Sequence, residues 1–145
     1  MLDAAVLNRY PQADCRAIQA LLKEKCREDG HKIVVLDDDP TGVQTVHDVS
    51  VYTDWSYDSI KKGFEEDGKL FYILTNSRGF TVEQTTRAHL EIGETAAKVS
   101  EETGIDYVIV SRGDSTLRGH YPLETELLAR AEEKHRNRAV DGEII

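Results

Sequence analysis

The stretch KIVVLDDDPTG, at residues 32–42, changes abruptly from five mostly apolar residues to three aspartates and a Pro-Thr-Gly turn. A short, β-branched apolar run predicts a buried strand, and the polar residues after it predict a loop. The pattern recurs as LFYIL followed by TNSRG at 70–79 and as YVIV followed by SRGDSTLRGH at 107–120. The continuous run YVIV favours a strand buried on both faces of a parallel sheet.

Segments with helical spacing separate these strands. Thr81 and Gln84 match a capping box, and Gly104 marks the end of the same helix. The remaining predicted elements are helices at 12–28, 57–66 and 122–134 and a weakly alternating strand at 49–53. The order α, β, β, α, β, α, β, α indicates an α/β fold with a mainly parallel sheet and helices on both faces.

Composition excludes several classes of protein. The chain has 145 residues and a net charge of −9, and it has no basic stripe for nucleic acid. We find neither a secretory signal nor an apolar run of about 20 residues, so we expect a cytoplasmic protein that does not enter a membrane. Cys15 and Cys26 are too far apart for a metal knuckle, and we expect reduced thiols.

The three polar loops follow the carboxyl ends of strands, and in a parallel sheet these ends share one edge, where ligands bind. Carboxylates there would bind hydroxyl groups and deprotonate one of them, while Arg112 and Arg118 offer planar charged forks to a carboxylate or phosphate. His120 is a candidate ligand contact, and the aspartates are candidates for Mg²⁺. The structural alternatives are a simple turn at 37–42 and a solvated ion-pair network that caps the last helix.

The strings DDPTG at 38–42, TNSR at 75–78 and especially DSTLRG at 114–119 resemble the N-terminal domain of the four-carbon acid sugar kinase family. The resemblance extends from about Lys32 to Leu128. It implies a sugar-acid-binding domain over residues 1–145, truncated before a C-terminal ATP-binding domain. The expected reaction transfers the γ-phosphate of ATP, with Mg²⁺, to a hydroxyl of threonate, erythronate or an oxo-tetronate.

The resemblance, together with the loop pattern, also nominates site residues. Asp38 and Asp39 are candidates for the catalytic base, without a choice between them. The candidate substrate-binding residues are Thr41, Gly42, Asn76, Ser77, Arg78, Arg112, Asp114, Ser115, Thr116, Arg118 and Gly119. The resemblance implies that the ATP site lies outside this chain, and the sequence itself also contains no Gly-x-x-x-x-Gly-Lys-Ser/Thr loop.

Two other functions fit parts of the sequence. The pattern Asp37-x-Asp39-x-Thr41 after a strand matches the nucleophile loop of a haloacid-dehalogenase-type phosphatase. A non-catalytic domain that senses a sugar acid would need the same three loops. The ending DGEII, at 141–145, predicts a turn entering a new strand, and a sheet edge left open by truncation would favour homo-oligomers.

Overall fold

A computed structural model describes residues 4–10, 14–114, 118–137, 139–140 and 142–144. The chain divides into two compact units, residues 1–30 and 31–145. The first unit has a 3-10 helix at Ala4–Arg9 and helix α1 at Cys15–Glu28. The Asp14 side chain caps α1 by accepting a hydrogen bond from the Arg16 N–H at 3.1 Å. Cys15 and Cys26 are free thiols.

The second unit is a four-stranded, all-parallel sheet in the order β2-β3-β1-β4, with three α-helices. Its elements are β1 (Lys32–Asp37), β2 (Val51–Tyr52), α2 (Tyr57–Glu65), β3 (Leu70–Leu74), α3 (Val82–Thr103), β4 (Tyr107–Arg112) and α4 (Leu123–Arg136). The predicted α/β class, parallel sheet and order of elements are confirmed. Strand β1 lies between β3 and β4, so that its end is flanked by the ends of both neighbours.

The hydrophobic core lies between the sheet and the helices of the second unit. Successive strand residues point to opposite faces, and Val34 and Leu36 of β1 share the core face. They pack with Phe64 of α2, Ile92 of α3 and Leu128 of α4. Since α3 contacts both α2 and α4, these three helices form one layer on one face of the sheet.

Strand β4 differs from its sequence prediction. It is an edge strand of the sheet, and its side chains alternate between the core face and a face that is partly open. Val108 and Val110 are 52% and 43% exposed, whereas Tyr107 is buried. The prediction that this run is buried on both faces is therefore wrong, because α2, α3 and α4 cover only the core face.

Local signals account for most element boundaries. The Thr81 hydroxyl accepts from the Gln84 N–H, the Gln84 side chain accepts from the Thr81 N–H, and Gly104 ends α3 with a φ of 70°. Pro122 precedes α4 as its N-cap residue. The predicted strand at 49–53 contains only two strand residues. Of the predicted C-terminal strand, residues 142–144 belong to neither helix nor strand, and residues 141 and 145 lie outside the described part.

Candidate functional site

Three loops meet at the carboxyl edge of the sheet. Asp37, the last residue of β1, is in register with Leu74 of β3 and Arg112 of β4, so the three strands end at the same level. Backbone hydrogen bonds continue past the strands, from the Thr75 N–H to the Asp37 carbonyl at 2.9 Å and from the Arg78 N–H to the Asp38 carbonyl at 3.3 Å. Polar side chains from three separate parts of the sequence are thereby brought together.

Arg78 joins the two central aspartates. Its Nε and Nη2 donate to Asp38 Oδ2 and Oδ1 at 3.0 and 2.9 Å, and its Nη1 donates to Asp39 Oδ2 at 2.9 Å. The planar guanidinium thus binds Asp38 through two hydrogen bonds at once, the strongest geometry for such a pair. The hydrogen bonds that Arg78 donates to Asp38 raise the pKa of Arg78. Arg78 therefore organises the carboxylates of the first loop.

Asp38 and Asp39 differ in accessibility. The Asp38 side chain is 2% exposed, and Oδ2 also accepts from the Asp114 N–H at 3.1 Å. The Asp39 side chain is 24% exposed, and Oδ1 accepts from the Thr41 N–H at 2.8 Å and from the Thr41 hydroxyl. These two hydrogen bonds from Thr41 lower the pKa of Asp39, and Arg78 and Arg118 add to the effect. Asp39 is therefore the ionised carboxylate that a ligand can reach.

Asp37 is buried beneath this pair. Neither of its carboxylate oxygens makes a hydrogen bond with good geometry to the residues that the structure describes, and Arg112 Nη1 lies 3.7 Å from Oδ1. Burial raises the pKa of Asp37, and the positive charge of Arg112 and the Asp39 N–H oppose that rise. The backbone of Gly42 lies so close that a Cβ there would stand 1.8 Å from Oδ2. Gly42 is thus required by the position of Asp37.

The arginine-rich loop after β4 contacts both other loops. Arg118 Nε donates to Asp114 Oδ2 at 2.9 Å, with the Arg118 side chain 66% exposed. Gly119 packs against the backbone of Asp114, since a Cβ there would be 2.0 Å from the Asp114 carbonyl oxygen. His120 Nε2 lies 3.0 Å from the Phe80 carbonyl oxygen. His120, considered above as a ligand contact, therefore links this loop to the turn after β3.

Apart from Gly119, which packs against Asp114, the sequence-predicted site residues fall into four groups. Asp38, Asp39, Thr41 and Arg78 are joined by hydrogen bonds of their side chains, and the Asp114–Arg118 pair is connected to them through the Asp114 backbone N–H. Asn76 is exposed, with a left-handed φ of 54°, and Arg112 is partly exposed beside Asp37. Ser77 and Gly42 are buried under the loops. Ser115 and Thr116 lie outside the described residues.

Two buried residues near the site, Glu124 and His89, were not predicted from the sequence. Glu124, in the first turn of α4, accepts a hydrogen bond from the Ser77 hydroxyl at 3.1 Å, and His89 Nε2 of α3 lies 3.5 Å from the same oxygen. A glutamate in the first turn of a helix is ordinary, because it complements the helix dipole. A signal was available for His89, because it lies next to Ala88 and three residues before Ile92, on the apolar side of a predicted helix.

Among the described residues, no group of three or more His, Cys, Asp or Glu side chains is placed to hold a metal ion. Both oxygens of Asp38 are already engaged, by Arg78 and by the Asp114 N–H. We therefore derive no chemical step from a metal held by this chain alone.

A parallel sheet whose strand-end loops carry carboxylates and arginines defines an α/β domain of the kind that binds small polar ligands at that edge. A family model described as "sugar-binding N-terminal domain" matches residues 33–140, and the chain belongs to this family. The resemblance drawn from the strand-end motifs is thus confirmed. No curated protein and no solved structure matches the chain. In the part of the chain that the structure describes, no helix is long and apolar enough to cross a membrane.

Proposed function

We propose that this chain binds a four-carbon sugar acid at the carboxyl edge of its sheet and presents one hydroxyl of that acid for phosphorylation by ATP. Threonate, erythronate and oxo-tetronates are the candidate substrates. The observation that carries the proposal is the fixed cluster of Asp38, Asp39 and Arg78, in which two carboxylates and a guanidinium are held by direct hydrogen bonds. Family membership over residues 33–140 supports the sugar-binding part of the proposal.

The groups at this edge suit the two ends of a sugar acid. Ligand hydroxyls would donate to Asp39, whose side chain is partly exposed. The acid group would bind the guanidinium of Arg118, which is largely exposed beside Asp114. Asp38 has no free oxygen for a ligand and instead holds Arg78 in place. The loops after three adjacent strands thus supply a carboxylate for the hydroxyl groups of the ligand and a guanidinium for its acid group.

In the proposed reaction, Asp39 accepts the proton of the attacking hydroxyl as the hydroxyl oxygen bonds to the γ-phosphorus of ATP, while the bond from that phosphorus to the β,γ-bridging oxygen breaks and ADP leaves with the electron pair. The pKa of Asp39 is lowered, so the proton moves late, which suits a loose transition state in which positioning dominates. ATP and Mg²⁺ are bound by the remainder of the proposed enzyme. This chain binds the acceptor, orients it and supplies the base.

The geometry opposes the phosphatase hypothesis. In that class the nucleophile would be Asp37, which must attack a phosphate directly. The Asp37 side chain is 1% exposed and packs against Gly42. The accessible carboxylate is that of Asp39, two residues later. We therefore favour binding of an acceptor over formation of an aspartyl-phosphate.

Calorimetric titration of the 145-residue chain with threonate, erythronate and an oxo-tetronate tests the binding step. We expect saturable binding of at least one of these acids, weakened in Arg118→Ala and unchanged in Arg130→Ala, an exposed arginine on α4. Absence of binding to every acid would refute the proposal. Equal affinity in Arg118→Ala and wild type would remove Arg118 from the site.

The catalytic step is tested in the chain extended by its natural C-terminal sequence, with ATP, Mg²⁺ and the acid that binds. Asp39→Asn should lower kcat by about 10²–10⁴-fold, the usual contribution of a general base, with a smaller effect on affinity. Binding without turnover in the extended wild type would identify a sensing domain instead of a kinase. Unchanged kcat in Asp39→Asn would exclude Asp39 as the base.

A further inference from the structure

A buried polar group lies directly beneath the strand-end loops and has no part in the proposed chemistry. It consists of Thr75, Ser77, His89 and Glu124, each no more than 3% exposed. The group joins the end of β3, the middle of α3 and the first turn of α4. Buried polar side chains are destabilising unless their hydrogen bonds are satisfied, so these contacts call for an explanation.

Glu124 is the centre of this group. Its Oε1 accepts from the Ser77 hydroxyl at 3.1 Å, and His89 Nε2 lies 3.5 Å away. His89 Nδ1 is 2.9 Å from the Thr85 carbonyl oxygen, which can only accept, so Nδ1 carries a proton. Ser77 is held in turn by Thr75, whose hydroxyl is 3.0 Å from the Ser77 hydroxyl. The Ser77 hydroxyl therefore fixes Oε1 of the carboxylate from the turn after β3, and His89 lies beside the same oxygen.

The other oxygen of Glu124 supports a different loop. A Cβ on Gly113 would stand 2.6 Å from Glu124 Oε2, so this oxygen lies directly against the Gly113 backbone. Gly113 immediately precedes Asp114, whose N–H donates to Asp38. Ser77 immediately precedes Arg78, which holds Asp38 and Asp39. One carboxylate thus contacts both of the loops that fix the first loop.

We propose that Glu124 is a positioning residue for the sugar-acid site. It sets the turn that carries Arg78 against the loop that carries Asp114, and it makes no contact with the ligand itself. The inference deepens the proposed function and, for its binding readout, rests on it. Oε1 accepts a hydrogen bond from Ser77 and Oε2 packs against Gly113; an alanine makes neither contact, whereas a glutamine keeps the packing and part of the hydrogen bonding.

The variants are Glu124→Ala, Glu124→Gln and a matched control, Glu126→Gln, which changes an exposed glutamate two residues along the same helix. The ligand-free readout is the NMR spectrum of the 145-residue chain, with the backbone amides of Arg78 and Asp114 and the Arg78 Nε–H as probes. We expect all three signals to shift in Glu124→Ala and the Nε–H to exchange faster with water. Glu124→Gln should shift them less, and Glu126→Gln should leave them unchanged.

The binding readout is the affinity for whichever tetronate the wild type binds. We expect a loss of about tenfold in Glu124→Ala, the lower end of what removal of a hydrogen-bonded supporting group costs at metal sites, with partial recovery in Glu124→Gln. If Glu124→Ala does not fold, Glu124→Gln carries both readouts. The inference would be overturned if the three N–H signals kept the chemical shifts of the Glu126→Gln control and the affinity stayed within twofold of that control. If the wild type binds no tetronate, the proposed function fails, and the three NMR signals still decide the role of Glu124.

Discussion

The contact between Gly42 and Asp37 makes a sharp prediction for Gly42→Ala. The added Cβ would stand 1.8 Å from Asp37 Oδ2 and 2.3 Å from Cγ, whereas ordinary contacts begin near 3.4 Å. The carboxylate or the turn must therefore move by roughly 1.6 Å, the difference between 3.4 and 1.8 Å. Asp37 is fully buried at the end of the central strand, so it has no open space to enter.

Overpacking a filled interior usually destabilises a protein by about 1–3 kcal/mol. We expect Gly42→Ala to lie at the upper end, about 3 kcal/mol, because the group it meets is a short side chain fixed at a strand end. The assay is urea unfolding of the 145-residue chain followed by circular dichroism. Gly79→Ala is the matched control, since nothing lies within 4 Å of its Cβ position, and it should change the free energy of unfolding by no more than about 0.5 kcal/mol.

A double-mutant cycle identifies the cause of the loss. In an Asp37→Ala background the clash is absent, so Gly42→Ala should then resemble the Gly79→Ala control. The reasoning would be refuted if Gly42→Ala were as mild as Gly79→Ala in the wild-type background. It would also be refuted if the penalty persisted in the absence of the Asp37 carboxylate, because the strain would then lie in the turn itself.

Two further predictions concern stability. Burial raises the pKa of Asp37, so its ionisation opposes folding as the pH rises above the unfolded value of 3.8. Asp37→Asn should therefore stabilise the chain at pH 7, and this gain should shrink below pH 4; a gain independent of pH in urea unfolding would contradict the reasoning. A Cβ on Gly93 of α3 would lie 2.6 Å from the Ala131 Cβ of α4, so Gly93→Ala should lower the thermal midpoint, Ala131→Gly should partly restore it, and no restoration would exclude this clash.

The sequence predicts the fold well where local and tertiary signals agree. Strand β3 has the predicted bounds, and α3 begins and ends at the predicted caps. Strand β2 is shorter than predicted because it pairs with β3 through only two residues, Val51 and Tyr52. The exposure of Val108 and Val110 was not predictable from an apolar run, since the run does not reveal that β4 is an edge strand.

The site is predictable as a set of residue types and much less as a set of pairs. Arg78 was expected to line the ligand site, and in the structure it binds Asp38 and Asp39. That partnership depends on the register of β1 and β3, which brings residues 40 positions apart into contact. The role proposed for Glu124 depends on the position of the first turn of α4 beneath the loops that follow β3 and β4. No local sequence pattern predicts that position.

The charges at the edge bear on which arginine would take the acid group of a ligand. The ion pairs and hydrogen bonds given above involve four aspartates and three arginines: Asp37, Asp38, Asp39, Asp114, Arg78, Arg112 and Arg118. Each of these arginines has an aspartate beside it, so a carboxylate ligand would share an arginine with an aspartate or replace that aspartate as its partner. Breaking the Arg78–Asp38 pair would leave a buried carboxylate without compensation, which is strongly unfavourable. The Arg118–Asp114 pair has a largely exposed guanidinium and a carboxylate that is 12% exposed, so exchange of partners there costs less than at the Arg78–Asp38 pair. The acid group of a bound tetronate should therefore select Arg118, while Arg78 keeps its aspartates.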